Sequence, residues 1–83
     1  MSLLRTAREA LTNAARHAPG TPVTVTLDYG TRAVCLTVEN PAAEPAPFGH
    51  GLTGARERLA LVGGTLHAGL TGGAWRVVAE VPA

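Results

Sequence analysis

Apolar residues recur at helical spacing over the first part of the chain. From Leu3 to Ala18 they return every three or four positions and fill one arc of a helical wheel, which predicts an amphipathic helix. The breaker pair Pro19-Gly20 ends this pattern directly after His17. The polar arc of the predicted helix carries Arg5, Arg8, Glu9, Thr12, Asn13, Arg16 and His17.

Strict alternation of apolar and polar residues replaces helical spacing in two later regions. Residues 23–28 and 34–39 alternate on either side of a turn at 29–31, which predicts an antiparallel hairpin with one buried face. Residues 65–70 and 74–81, joined at Thr71-Gly72-Gly73, predict a second hairpin. One face of its last strand carries Trp75, Val77, Ala79 and Val81.

A proline-rich segment and a second helix separate the two hairpins. Pro41, Pro45 and Pro47 lack amide donors and therefore predict a loop of about ten residues. The run Gly49-His50-Gly51 then leads into a helix over residues 52–62, with Gly63 as its expected C-terminal stop. The apolar face of this helix would consist of Leu52, Ala55, Leu59 and Val62.

The order of elements is therefore helix, two strands, loop, helix and two strands. We expect an α/β (α+β) two-layer sandwich, in which a mixed, mainly antiparallel sheet is covered on one face by helices. Because the chain has 83 residues, we expect residues 1–83 to form a single domain.

Composition excludes several classes of protein. Seven basic residues against six acidic ones give a net charge of +1, far from the basic balance of proteins that bind nucleic acid. No stretch approaches the roughly 20 apolar residues of a membrane span, and no secretory signal precedes the first helix. The single Cys35 cannot form an internal disulfide. We expect a cytoplasmic domain without direct membrane contact, whether or not its parent protein is membrane-anchored.

Four polar residues of the first helix form a candidate site. Glu9 and Asn13 are four residues apart, and Arg16 and His17 follow on the next turn, so the four side chains project from neighbouring turns. A carboxylate, an amide oxygen, a guanidinium and an imidazole suit a metal-bound polyphosphate. The alternative is an ordinary solvated helix face.

A second candidate site precedes the second helix. Glycines in Gly49-His50-Gly51-Leu52, and Gly54 after them, would let the backbone approach a ligand closely. The first free amides of a helix attract anions, so phosphate could bind there. Glycines also occur in ordinary loops, and this pattern alone is weak.

Taken together, these segments resemble a known family. Residues 8–18 resemble the N box of sensor histidine kinases, and residues 49–59 are similar to their second glycine box and the helix after it. The run Leu61-Val62-Gly63-Gly64-Thr65-Leu66 continues the match. The resemblance implies a Bergerat-type ATP-binding fold, as in gyrase B subunits, ATP-driven heat-shock chaperones and mismatch-repair ATPases. It is closest to kinases that pair with LuxR-type response regulators, because of the Arg56-Glu57-Arg58 run.

The resemblance also implies roles for individual residues, with ATP and Mg²⁺ as ligands. Asn13 would coordinate Mg²⁺, Glu9 would lie beside the metal and its water, and Arg16 and His17 would contact phosphate or ribose. The second glycine box would receive the phosphates under a lid formed by residues 41–48. Its contributing residues would be Gly49, His50, Gly51, Leu52 and Gly54.

The base-binding position departs from the family pattern. Asn40 stands where the family usually has an Asp that accepts a hydrogen bond from the adenine amino group, and the glycines expected after it are missing. An amide oxygen can still accept this bond, at a loss of roughly 1 kcal/mol relative to a charge-assisted bond. Glu39 is a poorer candidate because it points to the opposite strand face.

We therefore expect an Mg-ATP-binding domain that supplies the γ-phosphoryl group to a histidine on a dimerisation domain upstream of Met1. The parent would be a histidine kinase, and the 83 residues alone would autophosphorylate poorly or not at all. Two alternatives stay open. One is a degenerate, non-catalytic interaction module of the same fold. The other is an anti-sigma-factor-type serine kinase, a class that usually keeps the Asp and lacks the Arg-Glu-Arg run.

Overall fold

A computed structural model describes residues 2–17, 20–42 and 49–82; the side chains of residues 2, 17 and 49–51 lie outside this description. It confirms the predicted fold class: two helices and four strands form a two-layer α+β sandwich. The elements in chain order are α1 (Ser2–His17), β1 (Thr24–Tyr29), β2 (Ala33–Pro41), α2 (Gly49–Ala60), β3 (Thr65–Thr71) and β4 (Ala74–Pro82).

The sheet has the strand order β1-β2-β4-β3, and each of its three described pairings is antiparallel. The sheet is thus not mixed within the described residues, because the central pair β2 and β4 runs antiparallel as the two hairpins do. Leu36 lies opposite Ala79, and Val38 lies opposite Val77. These four residues are buried under the helices, so one face of the sheet carries the core.

Both helices pack on that face. α1 packs on β2 and β4, α2 packs on β3, and the two helices contact each other. Because apolar side chains of both helices and of three strands meet there, they form one core cluster. Its buried members are Ala10, Leu36, Val38, Leu52, Ala55, Leu59, Leu66, Trp75, Val77 and Ala79.

The buried face predicted for the first hairpin is only half realised. β2 buries Leu36 and Val38, but Val25 and Leu27 of β1 remain 48% and 45% exposed, although they lie opposite those residues on the same face. β1 is an edge strand, and α1 lies over β2 and β4 instead. Alternation therefore predicted the strand correctly and its burial wrongly.

The glycines of the second hairpin form the two-residue turn between β3 and β4. Gly72 and Gly73 both have positive φ, at 56° and 81°. This is the conformation of a type I′ turn, whose twist matches that of the flanking strands. The turn predicted at residues 71–73 is confirmed.

The carboxyl end of α2 closes on a glycine, as predicted. Gly63 has a φ of 76°; its amide donates to the carbonyl of Ala60 at 3.1 Å, and the Gly64 amide donates to the carbonyl of Leu59 at 2.7 Å. This pair of bonds is a Schellman motif. Val62, which was predicted on the apolar face, is 56% exposed because it lies in this terminal turn, beyond the last helical residue.

Two boundaries differ from the prediction. α2 begins at Gly49, so Gly49-His50-Gly51, which were predicted to precede the helix, form its first turn. The amides of a first helical turn have no hydrogen-bond partner within the helix. Pro41 is the last residue of β2, opposite Ala74, rather than the first residue of a loop. Proline is accepted there because a strand end can dispense with its amide. The rest of the predicted lid, residues 43–48, lies outside the described residues. Neither described helix is both long and apolar enough to cross a membrane.

Candidate functional site

The polar flank of α1 that carries Glu9 faces α2. Arg58 of α2 donates from Nη2 to both oxygens of the Glu9 carboxylate, at 2.8 Å to Oε1 and 3.0 Å to Oε2. Arg5 approaches the same carboxylate from within α1, with its Nε 3.5 Å from Oε1. The Glu9 side chain keeps only 22% of its surface exposed. The carboxylate is therefore held between two guanidinium groups at the junction of the helices.

Asn13 lies one helical turn after Glu9 on the same flank. Its Nδ2 atom is buried and has no hydrogen-bond partner among the described residues. An unsatisfied buried polar group costs about 1–3 kcal/mol, and such groups in folded proteins call for an explanation. The unsatisfied atom is a donor, so a bound ligand would satisfy it with an acceptor such as a phosphate oxygen. The amide oxygen of the same side chain is a suitable ligand for a hard cation.

The other predicted residues of α1 lie at its carboxyl end. Arg16 is exposed on the last turn, three residues after Asn13, and carries a charge toward solvent. His17 is the last residue of the helix, and its side chain lies outside the described residues. α1 thus brings Glu9, Asn13 and Arg16 onto successive turns, as the spacing predicted.

Asn40 occupies the helix-covered face of the sheet near the end of β2. It is 3% exposed, and its Nδ2 donates to the carbonyl of Pro41 at 3.2 Å. Trp75 lies directly opposite it on β4, and the indole Nε1 of Trp75 is also buried without a partner among the described residues. Two buried side chains with polar groups, Asn40 and Trp75, therefore lie on opposite strands near the carboxyl end of β2.

Glu39 points to the other face, as predicted from strand alternation. Its carboxylate accepts a hydrogen bond from Nε of Arg76 at 3.0 Å, directly across the strand pair. The pair lies on the face that no described helix covers. Glu39 is thereby separated by the sheet from Glu9, Asn13 and Asn40.

The predicted glycine segment forms the first turns of α2. Gly49, His50 and Gly51 open the helix, and their side-chain surroundings lie outside the described residues. Leu52 is 1% exposed and belongs to the core, so only its backbone is available to a ligand. Gly54 lies one turn before Arg58, and a Cβ at that position would lie 3.1 Å from Nη1 of Arg58.

Sequence reasoning missed the partner of Glu9. Arg58 was recognised as part of a characteristic run, but Glu9 and Arg58 are 49 residues apart, and no local spacing connects them. The signal that could have found the pair is the position of Arg58 relative to the apolar face of α2. Arg58 directly precedes the fully buried Leu59, which places it beside the buried face rather than opposite it.

The oxygen atoms of Asn13 and Glu9 suit a magnesium ion that is already bound to a phosphate-containing ligand. Within the described residues, no group of three or more His, Cys, Asp or Glu side chains could hold a metal ion. Mg²⁺ is commonly bound by one or two protein oxygens together with phosphate oxygens and water. One amide oxygen and one neighbouring carboxylate therefore fit such an ion, while a permanent protein-only site is not built from the described residues.

Solved structures with a similar fold are known, although no related sequence was found. No family model and no curated protein sequence matches the chain. Among solved structures, it is similar to the histidine kinase AdeS of Acinetobacter baumannii, with a TM-score of 0.82 and 15% identity. It is also similar to the nucleotide-free catalytic domain of the histidine kinase ThkA, with a TM-score of 0.81 and 17% identity.

Each alignment covers 98% of this chain, but only 45% of the AdeS chain and 65% of the ThkA chain. The chain thus spans about half to two thirds of the structures that it resembles. At this level of identity the comparison establishes the fold: the α+β sandwich of this chain is the fold of histidine kinase catalytic domains.

Proposed function

We propose that this chain is the Mg-ATP-binding domain of a two-component sensor histidine kinase. The observation that carries the proposal is the buried, unsatisfied Nδ2 donor of Asn13, on the flank of α1 that faces α2, where a phosphate oxygen would accept its hydrogen bond. The fold shared with histidine kinase catalytic domains supports it. So does Asn40, which is buried on the same face of the sheet as the helices.

The phosphate groups of the nucleotide would lie between α1 and the amino end of α2. Free amides of Gly49, Gly51 and Leu52 would donate to phosphate oxygens, with the positive end of the helix dipole behind them. Arg16 would add a positive charge, and His17 and His50 are the proposed polar contacts to phosphate or ribose. Gly54 adds no side chain of its own to the second turn of the helix, where the Arg58 guanidinium lies close to the backbone.

Asn13 and Glu9 would hold the metal end of the nucleotide. The Asn13 amide oxygen is the proposed ligand, and the Glu9 carboxylate is the proposed partner of a metal-bound water. When bound, Mg²⁺ would neutralise part of the charge on the phosphates. Asn40 would accept a hydrogen bond from the adenine amino group, since its amide oxygen is the acceptor available at the end of β2.

The γ-phosphoryl group would pass to a histidine on a separate dimerisation domain, and from there to a LuxR-type response regulator. In the first step, the bond between the γ-phosphorus and the bridging oxygen breaks. A phosphorus–nitrogen bond forms to the imidazole, which loses its proton, and ADP leaves. This domain contributes position and charge neutralisation, as in other phosphoryl transfers.

Calorimetric titration with Mg-ADP tests the proposal. We expect saturable heat for the wild-type chain and at least about tenfold weaker binding for Asn13→Ala, because the amide is the proposed metal ligand. Thr12→Ala is the matched control, since Thr12 is the neighbouring exposed residue of α1, and it should bind as wild type. A flat wild-type trace would favour the degenerate interaction module instead.

The phosphorylated residue distinguishes a histidine kinase from an anti-sigma-factor-type serine kinase. The full parent protein, incubated with labelled ATP, should yield phosphate that acid releases and alkali does not, as expected of phosphohistidine. Acid-stable label on serine of a partner protein would assign the domain to the serine kinase class.

A further inference from the structure

Arg58 is the residue of the Arg56-Glu57-Arg58 run that reaches the candidate site. Arg56 tethers α2 to β3, because its Nε donates to the carbonyl of Leu66 at 3.2 Å. Arg58 crosses to α1 and contacts the Glu9 carboxylate at 2.8 Å and 3.0 Å. Arg56 thus contacts β3, whereas Arg58 contacts Glu9, a residue of the candidate site.

The contact fixes the orientation of the carboxylate. One nitrogen, Nη2, is shared between the two oxygens, so it lies close to the axis that bisects the carboxylate. An ionised carboxylate has about four acceptor positions, and this contact occupies about one on each oxygen. Arg5 approaches Oε1 at 3.5 Å, so the remaining position on Oε2 is the more accessible one for a further donor, such as a metal-bound water.

The Glu9 carboxylate accepts the two hydrogen bonds described for the Arg58 guanidinium. The Nε atom of Arg58 is buried and has no partner among the described residues, and the side chain as a whole is 30% exposed. A partly exposed ion pair with an unsatisfied donor is a weak source of stability. The pair is better suited to fixing the geometry between α1 and α2 than to holding the fold together.

Gly54 provides the space that the guanidinium occupies. Gly54 and Arg58 are four residues apart on α2, so the Arg58 side chain lies over the Gly54 backbone. A Cβ at position 54 would lie 3.1 Å from Nη1 of Arg58, closer than an ordinary contact. Glycine is less favourable than alanine inside a helix. At position 54, however, any larger residue would crowd the Arg58 guanidinium.

We propose that Arg58 is a positioning residue that holds the Glu9 carboxylate beside the Asn13 amide, with Gly54 leaving room for its guanidinium. This inference rests on the proposed function, since it assigns Arg58 a task in magnesium-nucleotide binding. Arg58 acts through Glu9 and does not itself touch the nucleotide. Without Arg58, Arg5 would be the described cation left beside the carboxylate. Because the Arg5 side chain is 64% exposed, it would not hold the carboxylate in line with the amide one turn away.

A double-mutant cycle tests whether Arg58 acts through Glu9. The variants are Glu9→Gln, Arg58→Gln and the two combined, and the measured quantity is the affinity for ADP with Mg²⁺ and with EDTA. Side chains that contact the ligands of a metal ion typically cost about tenfold or more in metal affinity when they are removed. We expect each single variant to lose about tenfold for Mg-ADP, and the double variant to lose no more than Glu9→Gln alone. ADP affinity in EDTA should change by less than about twofold, since it does not depend on the metal.

Controls separate positioning from charge and from stability. Arg56→Gln removes the same charge two residues earlier and breaks a different tether, and it should leave Mg-ADP affinity unchanged. Arg58→Lys keeps the charge, but its shorter side chain places the nitrogen short of the position that Nη2 occupies. Its affinity for Mg-ADP should therefore stay closer to that of Arg58→Gln than to that of the wild type. If Arg58→Gln does not fold, Arg58→Lys should still bind Mg-ADP several-fold more weakly than the wild type.

Three results would overturn the inference while the wild-type chain still binds Mg-ADP. They are wild-type affinity in Arg58→Gln, independent losses that multiply to about a hundredfold in the double variant, and an equal loss in EDTA. Full recovery in Arg58→Lys would replace positioning with simple charge compensation. Absence of wild-type binding would overturn the proposed function itself, and the inference with it.

Discussion

Trp75 lies directly opposite Asn40 in the β2–β4 pair, and both side chains are buried on the helix-covered face of the sheet. The chain has no other tryptophan, so its fluorescence reports on this position alone. The buried indole Nε1 without a described partner makes the emission sensitive to any new polar neighbour.

Tryptophan emission should therefore change when nucleotide binds. We expect a saturable change on titration with Mg-ADP, because the adenine would lie against Asn40 and alter the polarity near Trp75. The midpoint should agree with that of the calorimetric titration. An unchanged spectrum during a titration that releases saturable heat would place the base elsewhere.

Asn40→Asp should strengthen adenine binding. A carboxylate forms a charge-assisted bond with the adenine amino group, worth roughly 1 kcal/mol more than the amide, which corresponds to about fivefold in affinity. The same change should lower the free energy of unfolding, because it buries a charge that has no cation among its described contacts.

Guanine nucleotides supply the control for this variant. Guanine has a carbonyl oxygen where adenine has its amino group, so an acceptor at position 40 gains nothing from it. Affinity for Mg-GDP should not rise in Asn40→Asp. An equal rise for both nucleotides would assign the effect to general electrostatics.

Gly64→Ala should destabilise the domain through a backbone collision. A Cβ at Gly64 would lie 2.6 Å from the carbonyl oxygen of Glu80 and 3.1 Å from that of Leu59. Because neither backbone can move freely, we expect a loss of about 1–3 kcal/mol in the free energy of unfolding, measured with urea. Gly69→Ala is the matched control, since nothing lies within 4 Å of its Cβ position, and it should change stability by less than about 0.5 kcal/mol. Equal effects would show that the close approach of Gly64 to β4 is wrong.

Leu59→Ala tests the core beneath the candidate site. Leu59 is 0% exposed, and its truncation should cost about 2–5 kcal/mol in a thermal or urea unfolding measurement. Leu61 is 86% exposed and lies just beyond the helix, so Leu61→Ala should change stability by less than about 0.5 kcal/mol. A larger effect at Leu61 than at Leu59 would contradict the orientation of α2.

Much of the fold was predictable because local physics determines it. Helical spacing in residues 3–18, alternation in the two hairpins and the stop at Gly63 each depend on residues close in sequence. Exposure was harder to predict. Val25 alternates as a buried strand residue does, yet whether it is buried depends on where α1 lies, and α1 lies over β2 and β4.

The residues of the candidate site could be predicted from the sequence, but the contacts between them could not. The spacing of Glu9 and Asn13 indicates one helix flank, and strand alternation correctly separates Glu39 from Asn40. The Glu9–Arg58 contact depends on how α1 and α2 pack, which is a long-range property without a local pattern. The unsatisfied Nδ2 of Asn13 likewise emerges only once its surroundings are known.

Nuclear magnetic resonance of the ¹⁵N-labelled chain tests the central proposal most directly. Asn13 and Asn40 are its only asparagines, and it has no glutamine, so each side-chain NH₂ signal belongs to a residue of the candidate site. On addition of Mg-ADP, we expect both pairs of signals to shift with one saturation curve, because one nucleotide would span α1 and the end of β2. Signals of Asn13 and Asn40 that stay unchanged at saturating Mg-ADP would contradict the proposed nucleotide site.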